Sequence, residues 1–252
     1  MAAEKKATRA AFGATLAELA AAGVPVVAVD ADLSGSTTTK KFAGAAKENA
    51  ERLFNVGIAE QNMIDVAAGL SLAGNVAFTG SFAVFGTGRA YDQIRNTVCY
   101  SKLNVKIAPT HAGVSVGPDG GSHQMLEDIA LMRTIPGMVI INPADDVEAR
   151  AAVRAAAAYQ GPVYLRFGRM AVPVFNDPQT YHFEMGKGIT LRDGKDITIV
   201  ATGLMVAEAM EAGKMLEEKG IDARIINIHT IKPLDEQLVC KAAQETGKII
   251  TV

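Results

Sequence analysis

The stretch Phe54-Asn55-Val56-Gly57-Ile58-Ala59-Glu60-Gln61-Asn62-Met63 sets a carboxylate directly after a short apolar strand and a tight turn at Gly57. An apolar helix follows, running to about Ala73. A carboxylate at a helix N-terminus is favoured by roughly 0.3–1 kcal/mol through the macrodipole, so Glu60 could serve its helix alone. Its neighbours point to chemistry instead. Val56 and Ile58 before it, and Met63, Ile64, Val66, Ala67, Ala68 and Leu70 after it, leave little polar surface. Apolar surroundings push a glutamate pKa upward, toward the range where a carboxyl group shares a proton near neutral pH.

A second chemical stretch is Thr110-His111-Ala112-Gly113, a glycine-rich loop from Gly117 to Gly121, and then Ser122-His123-Gln124. A lone histidine is usually incidental surface or satisfied core, but two flanking a glycine-rich loop are harder to dismiss. Phe82 and Phe85, at i and i+3 after an apolar strand, read by themselves as core. Arg169 follows the last apolar strand of the first part of the chain and is bland in isolation.

The phrase Val56-Gly57-Ile58-x-Glu60 resembles the thiamine-diphosphate enzymes of the transketolase family. The resemblance implies that Glu60 binds the cofactor's aminopyrimidine. A carboxyl group on that ring nitrogen favours the imino tautomer, whose imine takes the proton from thiazolium C2. It implies that Phe82 and Phe85 stack on the pyrimidine and that Asp32 lies against the middle of the cofactor. Arg9, Ser36, His111, Asp119, His123 and Arg169 become the contacts to a phosphorylated sugar, with His111 and His123 also catalytic. Arg169 matches the family's phosphate arginine better than Arg166. Gly88 stands where many transketolases have a third aromatic, and Arg89-Ala90-Tyr91-Asp92-Gln93 resembles the deoxyxylulose-phosphate synthase branch. Six such blocks run in family order from residue 9 to residue 169.

These enzymes hold Mg²⁺ and the diphosphate with a Gly-Asp-Gly phrase followed some way on by an Asn. Asp119-Gly120-Gly121 lies in the wrong place for it, and a hard cation needs several oxygen ligands. The resemblance therefore implies the pyrimidine-binding half of a split transketolase, with no metal ligands of its own. Thiamine diphosphate would be shared with an N-terminal diphosphate-binding subunit that carries the Mg²⁺. The implied reaction is transfer of a two-carbon ketol unit between sugar phosphates. Self-association, or two copies of each chain, is the expected assembly. Alternatives are a deoxyxylulose-phosphate synthase-like chain, a 2-oxo acid dehydrogenase β-like subunit and a non-catalytic partner subunit. The paired histidines favour sugar phosphates, and the presence of Glu60 argues against a silent partner.

The elements that position these residues read as α/β. Continuous apolar runs of strand length at Val24–Val29, Val76–Thr79, Val105–Ala108, Met138–Asn142 and Val163–Phe167 fit strands buried on both faces of a parallel sheet. Carboxyl ends of such strands form the binding crevice. Thr8 is expected to cap a first helix ending at Gly23, Ser122 to cap a helix through Met132, and Asp145 with Glu148 to form a capping box. Residues 1–185 form the pyrimidine-binding domain with a Pro- and Gly-bearing linker. Residues 186–252 form a second α/β unit, expected to be a partial transketolase C-terminal domain.

Hydrophobic residues at 49% and charged residues at 21% describe a globular chain, and a net charge of −2 provides no footprint for nucleic acid. Cys99 and Cys240 read as reduced core residues. No secretory h-region and no run of eighteen apolar residues is present, which points to a cytoplasmic protein away from membranes. Gly86-x-Gly88 lacks the third glycine of a dinucleotide fingerprint, so a Rossmann nucleotide binder is disfavoured.

Overall fold

The apolar run ending at Val29 is an interior strand of the main sheet, and every residue from Val26 to Asp30 is buried. The computed structural model describes residues 4–252. Strand β1 (Lys5–Ala7) and helix α1 (Thr8–Ala21) lead to β2 (Val26–Asp30). The short helices α2 (Ser34–Thr37), α3 (Thr39–Ala45) and α4 (Lys47–Ala50) precede β3 (Leu53–Asn55), α5 (Glu60–Leu72) and β4 (Val76–Gly80). Two π-type helical segments, Val84–Arg89 and Gln93–Tyr100, run into β5 (Val105–Ile107). Two 3-10 turns, Val114–Asp119 and Gly121–His123, come before α6 (Asp128–Thr134), β6 (Val139–Ile141), α7 (Asp146–Ala158), β7 (Val163–Leu165) and β8 (Ala171–Pro173). The remainder is β9 (Ile189–Arg192), β10 (Ile197–Ala201), α8 (Met205–Glu217), β11 (Ala223–Asn227), β12 (Thr230–Lys232), α9 (Glu236–Thr246) and β13 (Ile249–Thr251).

The main sheet has seven strands in the order β12-β6-β7-β5-β4-β2-β3. All neighbours are parallel except β12, which runs antiparallel to β6. Strand periodicity divides the core between its two faces. Val26, Ala28 and Phe78 pack with Phe12 and Leu16 of α1 and Val153 of α7. Val27, Val29 and Ala77 pack with Met63 and Ile64 of α5 and with Ile94 and Val98 of the second π-type segment. Phe12 anchors α1 between Phe78 and Phe167, at ring-centroid distances of 5.9 and 5.4 Å. Aromatic pairs of this kind contribute about 0.5–1.5 kcal/mol beyond burial.

The chain leaves β2 toward β3 on one side, then returns to place β4 on the other. This reversal is the topological switch point, where the carboxyl ends of strands open a crevice. A second sheet, in the order β13-β10-β11-β9, belongs to the C-terminal part.

Several sequence expectations need correction. Thr8 does not cap α1: it is the helix's first residue, and its Oγ1 accepts from the Gly168 backbone N–H at 3.0 Å, tying the helix to the end of β7. Ser122 does not cap a helix either, since the bridge between Gly113 and Met125 delays α6 until Asp128. The stretch after Arg169 is more than a linker: β8 pairs with β1, and β9 joins the second sheet. Cys240 is exposed, while Cys99 is buried as expected. The capping box is present. Asp145 Oδ1 accepts from Glu148 N at 2.9 Å, and Glu148 Oε2 accepts from Ala144 N at 2.6 Å, one residue ahead of the cap.

Candidate cofactor and substrate site

The segments after β2, β3, β4, β5 and β7 leave from the carboxyl edge of the main sheet and carry the expected site residues, except Arg9, which lies in the first turn of α1. At the end of β2, Asp30 is buried and accepts from Leu33 N at 2.6 Å, Thr37 Oγ1 at 2.7 Å and Thr39 Oγ1 at 2.9 Å. Burial pushes its carboxyl above the ordinary range against the pull of those donors. Gly80 leaves room for it, because a Cβ there would stand 2.6 Å from Asp30 Oδ2. The cluster fixes the turn that carries Asp32, whose backbone is left-handed at φ 65°. Asp32 is exposed and accepts from Asn55 Nδ2 at 3.1 Å, joining the ends of β2 and β3.

Gly57, at φ +72°, makes the turn from β3 into α5. Glu60 is the first residue of α5 and is 5% exposed. Its surroundings are less apolar than the sequence suggests. Ile58 is 77% exposed, and Arg89 Nη1 donates to Glu60 Oε1 at 3.2 Å.

After β4 the chain lays down an aromatic face. Phe82 and Phe85 stack with centroids 6.1 Å apart and planes at 13°. The ring of His111 lies on Phe82 at 3.8 Å, and His123 points its edge at Phe85 and Phe82 from 5.2 and 6.0 Å. Burial, reinforced by Arg9, holds the His111 imidazole down to about 4, so it is neutral at pH 7. Its Nδ1 shares a 2.8 Å hydrogen bond with Thr110 Oγ1.

The substrate-binding candidates gather beside His111. Arg169 Nε lies 3.1 Å from Asp119 Oδ2. Burial, and then the charge of Arg169, lowers the Arg9 guanidinium below its ordinary value. Arg9 Nη1 donates to the Ser36 carbonyl at 2.7 Å, so it engages Ser36 through its backbone. Arg166 is committed elsewhere, held by buried Asp128 through Nε at 2.7 Å and Nη2 at 3.3 Å. Phe82, Phe85, His111 and His123 thus form one group, bridged to Glu60 through Arg89, with Arg9, Asp119 and Arg169 next to it. Asp32 stands apart on the rim with Asn55.

Sequence reasoning missed Arg89 as a site residue. Its guanidinium carbon sits 4.2 Å from the Phe85 ring centroid while the same group pairs with Glu60. Its spacing of i+4 from Phe85 was the available signal; its partner 29 residues upstream was not readable. Among the described residues, no group of three or more His, Cys, Asp or Glu could hold a metal ion.

Residues 4–174 match the transketolase pyrimidine-binding domain, and residues 186–252 match the transketolase C-terminal domain. The chain belongs to the transketolase family. A transketolase C-terminal section from Methanocaldococcus jannaschii, itself only provisionally assigned, is 51% identical over 94% of this chain and 74% of its own length. A subunit of a 6-deoxy-6-sulfo-D-fructose transketolase from Clostridium sp. is 43% identical over 90% of this chain and 69% of its own. Among solved structures, a split-gene transketolase described as an inactive beta4 tetramer superposes with a TM-score of 0.89 at 50% identity, covering 99% of this chain and 80% of that one. The fold is accordingly a parallel-sheet pyrimidine-binding domain followed by a transketolase C-terminal domain.

The residues present fit the head of thiamine diphosphate. A planar aminopyrimidine needs a carboxylate near one edge and an aromatic face, and buried Glu60 and the Phe82–Phe85 pair supply both. No helix among the described residues is long and apolar enough to cross a membrane.

Proposed function

We propose that this chain is the pyrimidine-binding subunit of a two-chain transketolase that moves a two-carbon ketol unit between sugar phosphates in the cytoplasm. The observation that carries this reading is buried Glu60 at the start of α5, beside an aromatic face edged by two histidines. Residues 1–185 would bind the head of thiamine diphosphate and the sugar, with residues 186–252 as the second domain. When bound, the cofactor supplies the carbon nucleophile and the electron sink that ketol transfer requires. Glu60 holds or gives up a proton at the pyrimidine nitrogen, and Phe82 and Phe85 fix the ring's plane. Asp32 borders the middle of the cofactor.

Neutral His111, together with His123, hydrogen-bonds sugar hydroxyls and moves protons there. Arg169, Arg9, Asp119 and Ser36 position the phosphorylated end. A partner subunit would hold Mg²⁺ and the diphosphate. Two relatives support the division of labour: one is a named transketolase subunit, and the solved split-gene chain is inactive as a tetramer of one subunit type.

The test is reconstitution. The purified chain with Mg²⁺, thiamine diphosphate and sugar phosphates should show no ketol transfer until an N-terminal diphosphate-binding transketolase subunit is added. Turnover by the chain alone, or none after stable assembly, would count against the reading. Arg89-Ala90-Tyr91-Asp92-Gln93 favours a second, synthase-like reading, which turnover with 2-oxo acid donors in the same assay would support.

A further inference from the structure

Arg89 ends the first π-type segment, and its backbone and side chain are held by successive residues of α5. Gln61 Nε2 donates to the Arg89 carbonyl at 3.2 Å, and Glu60 Oε1 accepts from Arg89 Nη1 at the same distance. The guanidinium carbon lies 4.2 Å from the centroid of the Phe85 ring. One flat group of N–H donors therefore makes both contacts that define the head-binding slot, the Glu60 carboxylate and an aromatic face. π-type turns of this kind are common at functional sites.

We propose that Arg89 gates the slot: its guanidinium holds the contacts on Glu60 and Phe85 that a planar aminopyrimidine would use, and an entering ring must displace it. The inference rests on the reading of Glu60 and Phe85 as head-binding residues. The geometry suits a gate. The Arg89 side chain is 53% exposed, so it can swing into solvent without crossing packed side chains. Its backbone remains tethered by Gln61 while it does so. Neither contact locks the side chain, because the guanidinium that makes both keeps half its surface in water, even though its carboxylate partner is buried. A gate of that strength lowers apparent affinity by the fraction of time it is closed.

This separates a gate from a wall. If Arg89 were a wall of the slot, removing it would loosen ligand binding; removing a gate tightens it. The charge also matters. Lysine retains attraction to Glu60 but lacks the planar fork that covers Phe85 while pairing, so it should close the slot less fully.

The experiment is a ligand-observed NMR titration of the full chain with thiamine, which carries the aminopyrimidine but no diphosphate. Arg89→Ala should bind about three- to tenfold more tightly than wild type, within the range that two such contacts can exert, with Arg89→Lys between them. The double variant Glu60→Gln/Arg89→Ala should lose that gain. Unchanged or weaker binding in Arg89→Ala, with binding still dependent on Glu60, overturns the gate and leaves the head-binding reading standing. Binding indifferent to Glu60→Gln overturns both. If the chain alone gives no measurable signal, thiamine diphosphate uptake by the assembled two-chain protein decides the matter. Tighter uptake in Arg89→Ala supports the gate, and equal or weaker uptake overturns it.

Discussion

His111 and Phe82 lie ring on ring, 3.8 Å between centroids and 23° between planes, and His111 holds that position with a left-handed backbone at φ 62°. For a residue with a Cβ this conformation costs roughly 1–2 kcal/mol, so the surrounding packing must fix it. The strain places the imidazole at the junction of the aromatic face and the Arg9–Asp119–Arg169 group. His111→Asn should fold well, because Asn tolerates the left-handed region better than most residues. It loses the stacked ring, however, and ketol transfer in the reconstituted enzyme should fall by about 10²-fold, the usual effect of deleting one well-placed polar group. Normal thermal stability with normal turnover would remove His111 from the chemistry.

The same burial makes a pH prediction. His111 and His229 are both held down to about 4, in each case chiefly by burial. A histidine whose folded pKa lies below its unfolded value contributes stability that is fully present above about 6.5 and lost as pH falls toward 4. Chemical denaturation between pH 7 and 4 should show this decline. Imidazole resonances that titrate near 6.5 at both positions would contradict it.

Glu60→Gln should preserve assembly and lose about 10²–10⁴-fold in turnover, because an amide keeps the shape but cannot share the proton. Saturating cofactor must be used, so that the loss is read in kcat. Near-wild-type turnover under those conditions would show that Glu60 serves its helix alone.

Much of the fold was legible because β2, β4, β5, β6 and β7 are covered on both faces and so appear as unbroken apolar runs. Strands β1, β8, β9 and β12 escaped notice because they are three or four residues long with mixed exposure, and pairing alone defines them. Glu60 and the paired histidines stood out from turns and spacing within each segment, whereas Phe82 and Phe85 read as core until the family resemblance singled them out. Arg89 could not be found in this way, since its contact is with a carboxylate 29 residues away. Ile58 misled for a related reason. An apolar residue in a tight turn carries no sequence mark of being 77% exposed.

His123→Ala and Arg169→Ala should raise KM for a phosphorylated sugar while leaving thiamine diphosphate titrations nearly unchanged. Arg169 pairs with Asp119 at the loop end of the group and has no contact with Glu60. Removing one charged partner of a polar contact costs about 1–3 kcal/mol, or roughly ten- to a hundredfold in KM. A matching loss of cofactor affinity in both variants would move these residues into the cofactor site.

Glu148 joins α7, the connecting segment and the second sheet in one buried network. It accepts from Tyr181 Oη at 2.5 Å, Asn227 Nδ2 at 2.8 Å and Ala144 N at 2.6 Å. Burial pushes its carboxyl up to about 7 despite these donors, and burial also drives the Tyr181 phenol far above its ordinary value. Glu148→Ala strands three donors in a dry site and should cost about 3 kcal/mol or more. Glu148→Gln keeps an acceptor for Tyr181 and Asn227 but turns an amide N–H₂ toward Ala144 N–H, so it should cost less, though not nothing. The pH dependence runs opposite to that of the histidines. An acid whose folded pKa is raised contributes stability below its unfolded value near 4.5 and loses it as pH climbs through about 7. Because the histidines titrate identically in both proteins, the stability of wild type relative to Glu148→Gln should fall from pH 5 to 8. Parallel wild-type and Glu148→Gln curves would mean that the donors, not burial, set the charge of this carboxyl.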